Sequence, residues 1–368
     1  MITIKKSHKI VLFVVAACLV TAGTVFGVLI FTTWGVINYE NSYYYTPGVA
    51  SSIEKVTINC DIGSVLIKYN NTPTDKVAQI DLDIKIEGIL VKGSAFSDFF
   101  YTPIWQNQSS PEITFTLDVK ATTWFIFGLD RQVKINLTLR TDIVYDINTY
   151  VSTGIVTMNV PKNAILNNTI IDSSTGSILV RASDNVTFLA NTLLSTSTGS
   201  IALYANQVNF SQGLSVFTST GSLTLNFSKC IIGDHLIGDV STGSILFNSY
   251  NMEYSDVNNW RLETSTGSID VNILQYKNIG NNITGLILTS TGSIDGYYRD
   301  DSPNIGAKFT CSTSTGSNSY TPIGSGGFTQ SGANPKVITS DDYDSANNKY
   351  TFSLITSTGS IGVAAESL

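Results

Sequence analysis

Few residues in this chain have the type and spacing to do chemistry. Beyond its first 31 residues it has one histidine, His235, which a solvated position explains. One carboxylate coincidence stands out. Asp270 and Asp295 each lie three places after the glycine of a recurring Ser-Thr-Gly. If the repeats stack, the two sit on adjacent turns about 5 Å apart. Their parity is outward, opposite to Ile269 and Ile294. Stacked carboxylates repel unless a cation or proton intervenes, so the pair is a candidate calcium site of low affinity. Two hydrated surface charges is the simpler reading, and the Gly- and Asp-rich repeats of calcium-binding rolls are absent. Polysaccharide cleavage needs clustered carboxylates, usually with a base or a metal. The pair alone is thin support, so no catalysis and no cofactor are expected. Three cysteines, Cys60, Cys230 and Cys311, follow the apolar N-terminal segment, and an odd count cannot pair completely within one chain. Cys60 and Cys311 fall at inward positions, which predicts buried, reduced thiols.

The elements that hold these residues follow from the repeat. Ser-Thr-Gly recurs with its glycine at Gly154, Gly176, Gly199, Gly221, Gly243, Gly267, Gly292, Gly316 and Gly359, spaced 22, 23, 22, 22, 24, 25, 24 and 43 residues apart. A period in the low twenties is that of a solenoid with one turn of coil per repeat. The last interval suggests a hidden degenerate turn. Aliphatic residues recur two places after the glycine (Ile178, Ile201, Leu223, Ile245) and four places after it (Val180, Leu203, Leu225, Phe247). Period-two alternation means strands with one buried face, and the glycine marks the corner between them. The expected fold is all-β: a parallel β-solenoid (β-helix) with Ser-Thr-Gly stacked along one corner. Threonine pairs such as Thr196/Thr198 and Thr264/Thr266 share the aliphatic parity, so both members are expected inward, which disfavours a flat ice-binding array.

Lys5, Lys6 and Lys9 precede an uncharged apolar run over residues 10–31, long enough for one transmembrane helix. The basic flank places residues 1–9 in the cytoplasm and the remainder outside. Rival readings are a cleaved signal peptide and a lipoprotein site at Val15-Ala16-Ala17-Cys18. Residues 32–50 read as a juxtamembrane linker bearing Trp34, Tyr39, Tyr43, Tyr44 and Tyr45, and residues 51–368 as the solenoid. Eight Asn-x-Ser/Thr sequons, at Asn70, Asn107, Asn136, Asn167, Asn185, Asn209, Asn226 and Asn282, fit an external location. The formal net charge is −7, and from residue 142 onward 9 Lys/Arg face 17 Asp/Glu. Such a surface argues against nucleic acid as a partner.

A first turn, Val56–Ile67 around Gly63, precedes an insert over about 76–145 with three alternating strands around Ile80–Ile86, Ile113–Val119 and Val133–Leu139. These are expected to form an antiparallel sheet capping the open solenoid end. Between them lie Phe96, Phe99, Phe100, Tyr101 and Trp105, then Trp124, Phe125 and Phe127. The first five are the candidate partner-binding residues if exposed, and a small satellite core if not.

Val56–Ile67, Val133–Leu139, the Met158-Asn159-Val160-Pro161-Lys162 segment and the Ser-Thr-Gly-Ser-Ile turns together resemble the putative-adhesin, or β-strand-repeat, surface domains of prokaryotes. That resemblance implies a β-solenoid at the cell surface and supplies no catalytic residues. The expected function is a membrane-anchored adhesin-like or structural module that binds a surface protein or glycan. An envelope-stress or signalling partner is the second reading, and a polysaccharide-acting β-helix enzyme the third.

Overall fold

A computed structural model describes the chain except residues 1–18, 23, 26, 28–32, 48–50, 71–74, 90, 108–111, 121–129, 258, 303, 325–326 and 368. The fold is nearly all-β. Before each glycine corner, Ile165–Thr175, Thr192–Thr198, Leu214–Thr220, His235–Thr242, Asn259–Thr266 and Ile283–Thr291 pair in parallel, each with the next. After each corner, Ile178–Phe188, Ile201–Phe210, Leu223–Ser228, Ile245–Tyr250, Ile269–Gln275 and Ile294–Asp300 do the same. The register sets like on like. Ile178 faces Ile201, then Leu223, Ile245, Ile269 and Ile294, and all are buried. Aromatic rings stack along the interior as well, with Phe188 and Phe210 at 4.9 Å and Phe247 edge-on to Trp260 at 5.3 Å.

The corner has a steric cause. Gly199 has φ +143°, and a Cβ there would fall on the carbonyl oxygen of Gly176. The same holds up the column. The rungs therefore approach so closely that only glycine fits, quite apart from its backbone angle. The glycine carbonyls are closed by threonine. Thr196 donates to Gly176 O at 3.2 Å, Thr218 to Gly199 O at 3.0 Å, Thr264 to Gly243 O at 3.1 Å and Thr289 to Gly267 O at 3.1 Å. The expectation that both threonines of each pair face inward is half right. Thr196 is buried but Thr198 is exposed, because the chain changes parity at the intervening serine.

Two features depart from a purely parallel coil. First, the sheet is mixed. Gly35–Tyr45 runs antiparallel to Ala78–Gly88, which runs antiparallel to Asp130–Arg140. Residues 32–50 are thus not a linker throughout, and Tyr45 is buried. Within the insert, Glu112–Leu117 and Asp130–Arg140 stack in parallel on Ile53–Ile62 and Ser64–Asn70, adding an outer rung. The antiparallel cap lies beyond that rung, with Ile104–Asn107 closing the edge of Glu112–Leu117.

Second, the rungs are not in sequence order at the far end. Asn348–Thr358 pairs with both Ile283–Thr291 and Ile305–Thr315, so the last segment is inserted between two earlier ones. Among its described residues the 43-residue interval forms no further rung. It holds a hairpin, Phe328–Ser331 with Lys336–Ser340, laid antiparallel on the outer edge of Ile305–Thr315. Both ends of the coil thereby carry antiparallel strands that cover part of the open edge, while Gly35–Tyr45 and Asn318–Pro322 stay outermost, each paired on one side among the described residues. Among the described residues no helix is long and apolar enough to cross a membrane. Most of the span expected over 10–31 lies outside them.

Candidate functional site

The outward residues five places after the glycine form a column: Asn159, Arg181, Tyr204, Asn226, Asn248 and Asn272, in register on successive rungs. Residues seven places after it form a second: Ser183, Asn206, Ser228, Tyr250 and Leu274. Between the columns runs a groove of about 680 Å³. Its floor is made by the intervening residues Ala182, Ala205, Phe227 and Ser249, all buried. Two of these are alanine and one serine, which is why the floor lies low. The next residue in each rung bends the chain. Asp184, Gln207, Lys229 and Asn251 all take left-handed φ between 49° and 61°.

The asparagines bond to one another. Asn248 Nδ2 donates to Asn226 Oδ1 at 2.6 Å, and Asn272 Nδ2 to Asn248 Oδ1 at 2.8 Å. An amide has two N–H donors and one oxygen. The ladder uses one donor per step, so Asn248 and Asn272 each have an N–H outside the ladder, and Asn226 has both. Tyr204 and Tyr250 are 43% and 38% exposed, ample for ring-face contact. The Arg181 guanidinium lies 5.9 Å from the Tyr204 ring centre, and Tyr276 meets Tyr250 edge-on at 5.8 Å. Arg181 is the one charged residue in the lining.

Asn272 also lines a second cavity of about 510 Å³, further along the same wall, with Asp270 and Asp295. The structure does bring those two aspartates onto adjacent rungs, as Cα partners. Burial, then the Asp295 charge, raises the Asp270 carboxyl. No third His, Cys, Asp or Glu joins a metal-binding group among the described residues.

The aromatic insert is not an exposed patch. Phe99 and Phe100 are 2% and 0% exposed, and only Tyr101 of the five projects outward. Phe96 stacks on Tyr39 at 4.0 Å and on Phe100 at 5.2 Å, and Trp105 lies 5.9 Å from Tyr43. The rings of the insert and the tyrosines of Gly35–Tyr45 pack on one another, so Phe99 and Phe100 are core and Phe96 and Trp105 lie half-buried against it. Trp124, Phe125 and Phe127 lie outside the described residues.

His235 is not merely solvated. Its Nδ1 meets Asp234 Oδ2 at 2.9 Å and its Nε2 meets Ser215 Oγ at 3.0 Å. That is the hydrogen-bond order of a nucleophile triad. Ser215, however, sits mid-strand between Leu193 and Ile237 on adjacent rungs, and the larger cavities are lined by other residues. A triad also requires a pocket and converging oxyanion donors. Here the histidine ties the bend at Asp234 to the previous rung. Cys60, Cys230 and Cys311 are free and buried, as expected for the first and last. Burial pushes Cys60 and Cys311 up to about 12 and Cys230 to about 11. Of the sequon asparagines, Asn226 is engaged in the ladder, while Asn185 and Asn282 are exposed.

No family model and no curated protein matches the chain. Among the solved structures that align with it are two bacterial ones. One, described as a "putative cell adhesion protein" from Clostridium sporogenes, covers 90% of this chain and 100% of its own at 12% identity and a TM-score of 0.26. The other, a "putative adhesin" from Bacteroides fragilis, covers 90% and 97% at 10% identity and a TM-score of 0.33.

Proposed function

We propose that this chain is a non-catalytic, adhesin-like binding module of the cell surface, a β-solenoid tethered by a single N-terminal membrane helix over residues 10–31. The tether rests on the apolar run and its Lys5/Lys6/Lys9 flank. Leu19, Val20 and Val25 add to it, being helical and 60–69% exposed, a pattern suited to lipid contact. The observation that carries the binding role is the wall groove, with its two exposed tyrosines and its asparagine ladder. The site is therefore moved from the aromatic insert to the wall. A surface role also suits the acidic composition, which repels nucleic acid.

The test has two arms. Protease added to intact cells removes the coil while an N-terminal fragment stays with the membrane. Cells displaying the wild-type chain adhere to a cell or matrix surface, and cells displaying Tyr204→Ala with Tyr250→Ala adhere less. Full protection from protease sinks the tether. Undiminished adhesion by the double variant sinks the groove as the site.

A further inference from the structure

The groove narrows the class of ligand. We infer that its occupant is a neutral, extended, linear oligosaccharide lying along the coil axis, with about one sugar ring per rung. This rests on the reading of the groove as the binding site and deepens it.

Four observations lead there. First, the polar groups repeat. Asn226, Asn248 and Asn272 present the same amide at successive rungs, about 4.8 Å apart. A ligand that uses all three must repeat at a similar distance, and a pyranose ring in an extended chain has about that length. Second, the amides are already aligned by the ladder bonds of 2.6 and 2.8 Å. Their free donors need no reordering on binding, which lowers the entropic cost. Third, the exposed tyrosines stand two rungs apart, roughly 10 Å along the axis, on opposite margins of the groove. Each can pack against the apolar face of a sugar while its hydroxyl stays wet. Fourth, the lining is uncharged apart from Arg181, which lies over Tyr204. A neutral polymer matches that lining better than a polyanion does.

The competing occupants fit less well. A peptide added as a β-strand needs a free sheet edge. This is a sheet face, and the strands at the groove are paired on both sides. A helical peptide needs apolar sockets at helical spacing, whereas the floor residues here repeat once per rung along the coil axis, as Ala182, Ala205, Phe227 and Ser249. Nucleic acid needs clustered basic groups, and the groove has one.

Length dependence is the distinguishing readout. The first column spans six rungs, from Asn159 to Asn272. Full-length chain in detergent micelles is titrated calorimetrically with β-1,4-linked glucose oligomers of two and six units, with the N-acetylglucosamine hexamer and with hexagalacturonate. A neutral hexamer is expected to bind at least tenfold tighter than the dimer. Tyr204→Ala and Tyr250→Ala are each expected to lose about tenfold with an unchanged thermal melt. Asn248→Leu, which cuts the ladder at its centre, provides a second route should a tyrosine variant misfold.

Equal affinity for dimer and hexamer overturns the axial pose. Tight binding of hexagalacturonate alone, lost in Arg181→Gln, overturns the neutral class. If no saccharide binds while cell adhesion still depends on Tyr204 and Tyr250, this inference fails and the surface-binding reading stands. If adhesion ignores those residues as well, both fail.

Discussion

Gly199→Ala tests the corner directly. The substitution adds one carbon, and the structure puts that carbon on a backbone oxygen, Gly176 O, not on a side chain that can rotate away. Two effects add. Holding a non-glycine residue at φ +143° costs about 1–3 kcal/mol. Relieving the clash means separating two rungs locally. That strains Gly176 N to Thr198 O at 2.8 Å, Ile178 N to Ser200 O at 3.0 Å and Thr196 Oγ1 to Gly176 O at 3.2 Å. Each is worth about 0.5–1.5 kcal/mol net. The expected loss is roughly 4 kcal/mol, read from urea unfolding followed by far-ultraviolet circular dichroism. Ser200→Ala, an exposed change on the next residue, is expected to cost under about 0.5 kcal/mol. In a quasi-one-dimensional coil the damage stays near its source. Hydrogen exchange is therefore expected to quicken at Gly176 and Ile178 and to hold at Ile287. A Gly199→Ala protein within 1 kcal/mol of wild type would falsify the close-approach account of the corner.

Three further outcomes follow from the same geometry. Thr264→Val keeps the shape and removes the hydroxyl that caps Gly243 O, so it should lose about 1–2 kcal/mol; a neutral result means water closes these carbonyls. Asp300 is fully buried, and burial lifts its carboxyl to about 6. The folded state then holds that proton more tightly than the unfolded state, so this contribution is greatest below about pH 4 and falls as pH rises through 6, by roughly 3 kcal/mol in total. Asp300→Asn is expected to flatten that decline in urea titrations at pH 4, 5, 6 and 7.5, and an unchanged slope refutes the assignment. Ser215 is expected to resist a fluorophosphonate probe, while His235→Ala lowers the melting temperature by a few degrees; covalent labelling of Ser215 would instead make the Ser215–His235–Asp234 arrangement catalytic.

Local pattern alone revealed the rung. The aliphatic positions two and four residues after each glycine and the corner itself are consequences of neighbours one period apart, and all are visible in the spacing. What the spacing does not encode is which rungs touch when the chain leaves sequence order. Asn348–Ser367 returns between two earlier rungs, and Ile53–Asn70 is sandwiched between the insert and Val144–Val160. One residue did carry a sign of this. Asn318 replaces the aliphatic residue two places after Gly316, and its strand is the outermost of the coil, paired on one side alone by Ile361–Ser367. A polar residue at a core position fits an end rung, whose far side no further rung covers.

The groove was missed for a related reason. Attention to inward positions finds a core, and a repeat protein repeats its outward columns just as faithfully. Asn226, Asn248 and Asn272 share one offset from their glycines, and in parallel, in-register strands a shared offset places like residues on adjacent rungs. Identical amides at that spacing bond to each other, which explains how the column is aligned without any ligand. The aromatic insert shows the converse. Five rings in ten residues look like a binding patch only while the tyrosines of Gly35–Tyr45 are assigned to the membrane interface. Once that segment is a strand, Tyr39 and Tyr43 supply the missing faces for Phe96 and Trp105, and the cluster becomes the seal on the coil's end. The conspicuous aromatics of the insert pack against the coil's end, whereas the repeated small and polar residues, with Tyr204 and Tyr250, line the groove proposed above as the binding surface.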